Sequence, residues 1–285
     1  MCMDTLTKED NMKITALVEN ITKDENLLSE HGLSLHILTR NHKILFDVGK
    51  TDKFLKNAET LNIDIKKVDL VVISHGHYDH GRGIKHLLSA NEKAEVFINK
   101  EAFDEYYAVN NDGQNIYIGL EQELRDNERI SLTDGFFYLD SEVATFSGVD
   151  GEMLRPTYNE TLKIRIEDTL FNDPFKHEQN LVINEDGKLV LIAGCMHNGV
   201  CNIMNHFYDL YECMPDIVIG GLHMMNPSTE ESESDEFIKE VADFMLETKA
   251  MFYTCHCTGE KAYAKLKEIM GDRIEYLHTG KELRL

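Results

Sequence analysis

Short apolar runs and amphipathic stretches follow one another along most of the chain. Lys13 to Glu19 reads as a strand, and Leu33 to Thr39 with Lys43 to Asp47 read as a β-hairpin joined by the turn-forming Asn41-His42. From Lys50 the spacing changes, and Phe54, Leu55, Ala58 and Leu61 share one face of a helix. Val68, Leu70, Val71, Val72 and Ile73 then give a nearly continuous apolar run, the mark of a strand covered on both faces. It empties into Ser74-His75-Gly76-His77-Tyr78-Asp79-His80-Gly81, and a helix from Ile84 to Leu88 and a strand from Ala94 to Asn99 complete the unit.

The segment from Lys100 to about Asp150 is less regular; it predicts a helix near Phe103 to Ala108 and an insertion, near 100–150, that covers a site. The second half restarts with strands at Thr161 to Ile166, Asn180 to Asn184 and Lys188 to Gly194. Beyond Gly199 three helices, marked by Ile203 and Phe207, by Ile238 and Val241, and by Ala262 and Leu266, alternate with strands at Asp216 to Gly220, Ala250 to Thr254 and Ile274 to Leu277. No linker divides the chain, so residues 13–285 are expected to form one domain behind a flexible terminus at 1–12. Two β-rich halves, each closed by helices, predict an α/β fold, a four-layer αββα sandwich around one core.

Composition narrows the function. With 42% hydrophobic and 28% charged residues and only 4 prolines in 285, the chain is an ordinary globular protein. Lys plus Arg is 29 against 51 Asp plus Glu, a net charge of −22 that repels phosphate backbones and anionic lipid, so neither nucleic acid nor a membrane is an expected partner. The apolar runs fall short of the roughly 20 residues of a membrane helix, and Met1-Cys2-Met3-Asp4 is no secretory leader, so a cytoplasmic location with six reduced cysteines is expected.

The chemistry concentrates in His75-x-His77-x-Asp79-His80, four donor side chains in six residues just beyond a buried strand. No packing requirement explains that density. Imidazole and carboxylate suit Zn, Fe or Mn, and backbone that has left the sheet can turn several imidazoles toward one point.

This motif, with the upstream Ile44-Leu45-Phe46-Asp47-Val48-Gly49, resembles the metallo-β-lactamase superfamily. The resemblance implies two divalent metal ions, zinc first and Mn or Fe as alternatives, with His75 and His77 on the first, Asp79 and His80 on the second, and Asp47 supporting the ligand loop. Later loops would supply His177 to the first metal, Cys195 in place of the usual bridging aspartate, and His256 as the last histidine, while His197 can replace either His177 or Cys195. Taken together, Glu30-His31-Gly32-Leu33-Ser34, Gly194-Cys195-x-His197-x-Gly199, Gly220-Gly221-x-His223 and His256-Cys257-Thr258-Gly259 are similar to a branch labelled dihydropterin-ribofuranosylaminobenzene phosphate synthase-like. That branch raises His197 and His223 as site residues; His31 by itself reads as a surface or satisfied polar side chain.

The implied activity is a metal-dependent hydrolase of a small ester, thioester or phosphoester, in which a dinuclear metal-activated hydroxide attacks, Asp79 orients it, and His197 or His223 donates to the leaving group. The alternative is a pterin-type transferase that couples a dihydropterin-methyl diphosphate to an arylamine at the same metals. A redox diiron protein of this fold normally carries a carboxylate where His77 stands, which favours hydrolysis. The expected partner is a small molecule, and the oligomeric state is left open.

Overall fold

The strands pair as their apolar pattern demands. In the computed structural model, which describes residues 12–285, they form two seven-stranded sheets and a four-stranded one. The first sheet runs, in spatial order, Glu282–Arg284, Lys13–Val18, Ser34–Leu38, Lys43–Phe46, Leu70–Ile73, Glu95–Asn99 and Ile130–Thr133. The second runs Ile274–Tyr276, Met251–Thr254, Ile217–Gly220, Lys188–Ile192, Gln179–Glu185, Val143–Ser147 and Phe136–Tyr138. The expected hairpin is present, with Leu35 opposite Phe46 and Leu38 opposite Lys43.

Alternation along each strand produces the four layers, because successive side chains point to opposite faces. Ile44, Phe46 and Val72 meet Ile183, Val190, Ile192 and Ile219 between the two large sheets. Their neighbours Leu45, Val71 and Ile73 face the other way, onto Phe54 and Ala58 of the helix Lys53–Thr60 and Ile84 and Leu87 of the helix Ile84–Ala90. On the outer face of the second sheet, Leu191, Val218 and Phe252 pack under the helices Val200–Tyr211, Asp235–Thr248 and Glu260–Met270 through Phe207, Val241 and Leu266. The result is the expected αββα sandwich. Each large side chain so buried contributes about 1.5–3 kcal/mol.

Two features depart from the sequence reading. The helix expected near Phe103 to Ala108 is instead the strand Glu105–Val109, paired antiparallel with Leu162–Ile166. Its Tyr106-Tyr107 pair favours a pleated surface, and a partner more than fifty positions away supplies the ladder that a local pattern cannot show. Of the strands between 100 and 150, only Glu105–Val109 and Asn115–Tyr117 leave the two large sheets; with Leu162–Ile166 and Thr169–Asn172 they make the four-stranded sheet. At the terminus, residues 1–11 of the expected flexible 1–12 lie outside the described residues, whereas Met12 is buried and its carbonyl accepts the Leu285 N–H. No helix among the described residues is long and apolar enough to cross a membrane.

Lys43–Phe46 and Leu70–Ile73 run parallel in one sheet, and Lys188–Ile192, Ile217–Gly220 and Met251–Thr254 run parallel in the other. Each ends just before Asp47, Ser74, Cys195, His223 or His256. Parallel strands leave their carboxyl ends on one edge, where open α/β sheets bind ligands. Loops far apart in sequence are thereby brought to a single place.

Candidate metal centre

Asp47 anchors the site from below. It is fully buried and held at φ 58°, a left-handed conformation that aspartate tolerates better than most residues. Its Oδ1 accepts the Ser74 N–H at 2.7 Å, and its Oδ2 accepts the Ser74 hydroxyl at 2.8 Å and meets His80 Nδ1 at 2.6 Å. The loop that carries the histidines is thus fixed at its first residue. Close packing also explains two glycines: a Cβ at Gly76 would lie 2.3 Å from the Ala102 carbonyl, and one at Gly194 would lie 2.2 Å from Ser74 Oγ.

The hydrogen bonds assign the protons on the imidazoles. Ser74 gives its one hydroxyl proton to Asp47, so its Oγ accepts from His75 Nδ1 at 2.8 Å. His80 Nδ1 donates to Asp47, His256 Nδ1 to Asn20 Oδ1 at 2.7 Å, and His197 Nδ1 to Asn159 Oδ1 at 3.0 Å. In all four rings the outer nitrogen is a donor; His75, His197 and His256, which burial holds below the ordinary imidazole range, keep a lone pair on the inward Nε2, and His80 gains one when its ring is neutral. These lone pairs converge. His75 Nε2 lies 3.0 Å from His77 Nδ1, His80 Nε2 lies 3.2 Å from both His256 Nε2 and Cys195 Sγ, and Asp79 Oδ2 lies 3.3 Å from His256 Nε2. His197 Nε2 is buried with no hydrogen-bond partner. Histidines that donate outward to oxygen and turn their other nitrogen toward a shared centre are the usual arrangement at a metal. The donor set therefore fits divalent ions.

The structure brings together His75, His77, Asp79, His80, Cys195, His197 and His256, but His177 stands apart from its expected place. Gly76 N–H donates to its Nδ1 at 2.9 Å, so its Nε2 carries the proton and donates to Asp173 Oδ2 at 3.0 Å. Neither nitrogen has a lone pair to offer. The ligand atom of His197 falls in one group within 4.8 Å with those of His75 and Cys195, whereas that of His177 groups with His77 and Asp173. The loop that presents His197 is tied to Glu178, whose Oε1 accepts the His197 N–H at 2.6 Å and whose Oε2 accepts the Asn198 N–H at 3.0 Å. Asp173 lies 4.0 Å from His77 Nε2 and faces the outer side of that ring.

Burial sets the electrostatics. It pushes His75 and His197 well below the ordinary imidazole range and His77 down to about 3, with neighbouring imidazoles adding to the shift. Burial opposes the charge of His80 too, but Asp47 and Asp79 outweigh it and raise that histidine to about 9. Phe175, Met196, His223 and His256, all in or beside these loops, sit at φ between 49° and 55°. Such backbone costs on the order of 1–3 kcal/mol per residue and persists where the surroundings enforce it.

A cavity of about 720 Å³ opens over the cluster. Ala108, Ile116 and Leu162 of the small sheet line it, with Ile118 just beyond that sheet and Met225, Pro227 and Ser228. His223 lines it beside His197, at 4.2 Å between ring centres. His31, which local sequence reads as an ordinary surface residue, also lines it, with Nε2 3.3 Å from Asp79 Oδ2. Burial works against charge on His31, but the Asp79 carboxylate outweighs it and raises its pKa. The only local signal for His31 is its place in Glu30-His31-Gly32; Asn20 and Asn159 have none, because each acts across more than thirty residues of sequence.

Comparison with known proteins agrees with this geometry. A family model described as Metallo-beta-lactamase superfamily matches residues 32–115, the stretch that contains the histidine loop. An uncharacterized protein of Methanocaldococcus jannaschii is 28% identical over 280 residues, covering 94% of this chain and 98% of its own. The same organism's 7,8-dihydropterin-6-methyl-4-(beta-D-ribofuranosyl)-aminobenzene-5'-phosphate synthase is 26% identical, covering 97% of this chain and 98% of its own. The crystal structure of a metal-dependent hydrolase of the beta-lactamase superfamily superposes with a TM-score of 0.80 at 28% identity, over 96% of this chain and 99% of that one. Sandwich and histidine loop together give the chain the metallo-β-lactamase fold, with the superfamily's model matching residues 32–115.

Proposed function

We propose that the chain is a metal-dependent hydrolase of a small ester, thioester or phosphoester, with two divalent ions, zinc first among them, held by the convergent donors. One observation carries the reading: four imidazoles donate through Nδ1 to Ser74, Asp47, Asn159 and Asn20 and so present Nε2 to one cluster. His75, His77 and His197 would hold one ion, and Asp79, His80, Cys195 and His256 the other. Bound ions of this kind supply a water that ionises near neutral pH and polarise the oxygen of the scissile group. The chain supplies the rest. Asp47 and Ser74 fix the ring planes of His75 and His80, the small sheet lines the cavity with apolar side chains, and His31 stands on the cavity wall beside Asp79 to give a proton to the leaving group.

The test is turnover of small esters, thioesters and phosphoesters by the zinc-loaded chain. Exhaustive chelation should abolish turnover and zinc should restore it; unchanged turnover after the metal is removed overturns the proposal. His31→Ala should retain its metal and lose about 10²–10⁴-fold in kcat, the usual scale for a general acid. Full activity in that variant would remove His31 from the mechanism.

The relative named as a pterin synthase, which matches 97% of this chain, favours a second reading. There the same donors would hold ions that neutralise a diphosphate leaving group while an arylamine nitrogen attacks the pterin methylene. Incubation with a dihydropterin-methyl diphosphate and an arylamine separates the two readings. A C–N coupled product supports transfer, and release of diphosphate without coupling supports hydrolysis.

A further inference from the structure

Cys257 is not used by either reading, although it is buried and its sulfur lies within the site. The ligand atoms of Cys195, His223 and Cys257 all fall within 4.8 Å of one another, and all three residues are buried. Zn–S bonds of about 2.3 Å and Zn–N bonds of about 2.0 Å place neighbouring donors under 4 Å apart, so only small shifts would close the three on one ion. Three independent features point to a ligand there. His223 Nδ1 is buried and has no hydrogen-bond partner. His223 is held at φ 49°, a backbone conformation that turns it off the end of the strand Ile217–Gly220. Cys257 Sγ has been given its own space: a Cβ at Gly221 would lie 2.4 Å from it, and the His223 N–H reaches it at 3.3 Å.

We infer that Cys195, His223 and Cys257 form a separate seat for a thiophilic divalent cation, which shares Cys195 with the histidine-carboxylate centre. Two sulfurs and one imidazole make it softer than the neighbouring donor sets, so it selects Zn(II) or Cd(II) over Mn(II) or Mg(II). All three residues line the cavity, so an ion can enter from there. With three protein donors and one open position the seat has the form of a reactive site rather than a closed structural one.

Cd(II) is the probe. The metal-free full chain, carrying Cys2→Ser and Cys213→Ser so that neither Cys2 nor the exposed Cys213 competes, is titrated with Cd(II); bound ions are counted and the sulfur neighbours of cadmium read by X-ray absorption. The seat requires cadmium with two sulfur neighbours. Cys257→Ala should lower the count by one ion per chain and leave no cadmium with more than one sulfur, and His223→Ala should lower the count in the same way. A folded Cys257→Ala protein, verified by circular dichroism, with the same ion count and sulfur number overturns the inference. Because the readout is coordination, not turnover, it stands or falls independently of the hydrolase reading.

Discussion

Asp47→Ala is expected to cost about 3–5 kcal/mol of stability and to weaken zinc binding 10–100-fold. The carboxylate is fully buried and receives the Ser74 N–H, the Ser74 hydroxyl and His80 Nδ1–H. Removing one partner of a buried charged network strands the others, which is the most damaging class of single change in a core. The loss of zinc affinity follows from the rings: without Asp47, His80 has no fixed tautomer and Ser74 no longer orders His75. Asp47→Asn keeps the volume and the left-handed backbone but turns an amide N–H toward donors, so it should fold and still lose at least tenfold in zinc affinity. Urea denaturation and competition against a chromophoric chelator measure both effects. Wild-type zinc affinity in Asp47→Ala would sink the assignment of Asp47 as the support of the ligand loop.

The metal-free protein should be most stable near pH 6.5 and lose stability on either side. His77 titrates at about 3 in the folded chain against 6.5 when unfolded, so its stabilisation is complete above pH 6.5 and is lost as pH falls and the unfolded chain takes up the proton. At pH 5 that one residue costs about 2 kcal/mol, from roughly 1.4 kcal/mol per pH unit. His75 and His197 are lowered for the same cause and act in the same direction, so the sum is a large part of the 5–15 kcal/mol of a typical domain. His80 has the opposite sign. Raised to about 9, it stabilises fully below pH 6.5, and that contribution, about 3 kcal/mol, is lost as pH rises from 6.5 through 9. Urea midpoints of chelated protein from pH 5 to 9 test this. A flat profile below pH 6.5 would contradict the burial of neutral, inward-facing imidazoles. Zinc should counter the acid loss, because metal competes with protons for the same nitrogens.

Element by element, local pattern located most of the fold. The run from Val68 to Ile73 declared a strand covered on both faces, and the structure divides it: Val72 faces the other sheet while Val71 and Ile73 face helices. The expected helix at Phe103 to Ala108 fails for a definite reason. Its strand state depends on pairing with Leu162–Ile166, and such pairing is a property of two segments rather than one.

For the site, the sequence by itself determined where donor side chains are concentrated. His75-x-His77-x-Asp79-His80, Cys195 and His256 are visible because donor side chains packed so densely at the ends of buried strands have no structural use. Only the tertiary structure decided which lone pairs meet. His177 and His197 look alike as letters, yet Gly76 and Asp173 occupy both nitrogens of the first, while Asn159 takes just one of the second and leaves Nε2 bare. The same holds for His31 and Cys257, which reach the cavity by folding alone. The physical reason is that a histidine's role depends on which nitrogen bears the proton, and that is set by hydrogen-bond partners brought from distant parts of the chain.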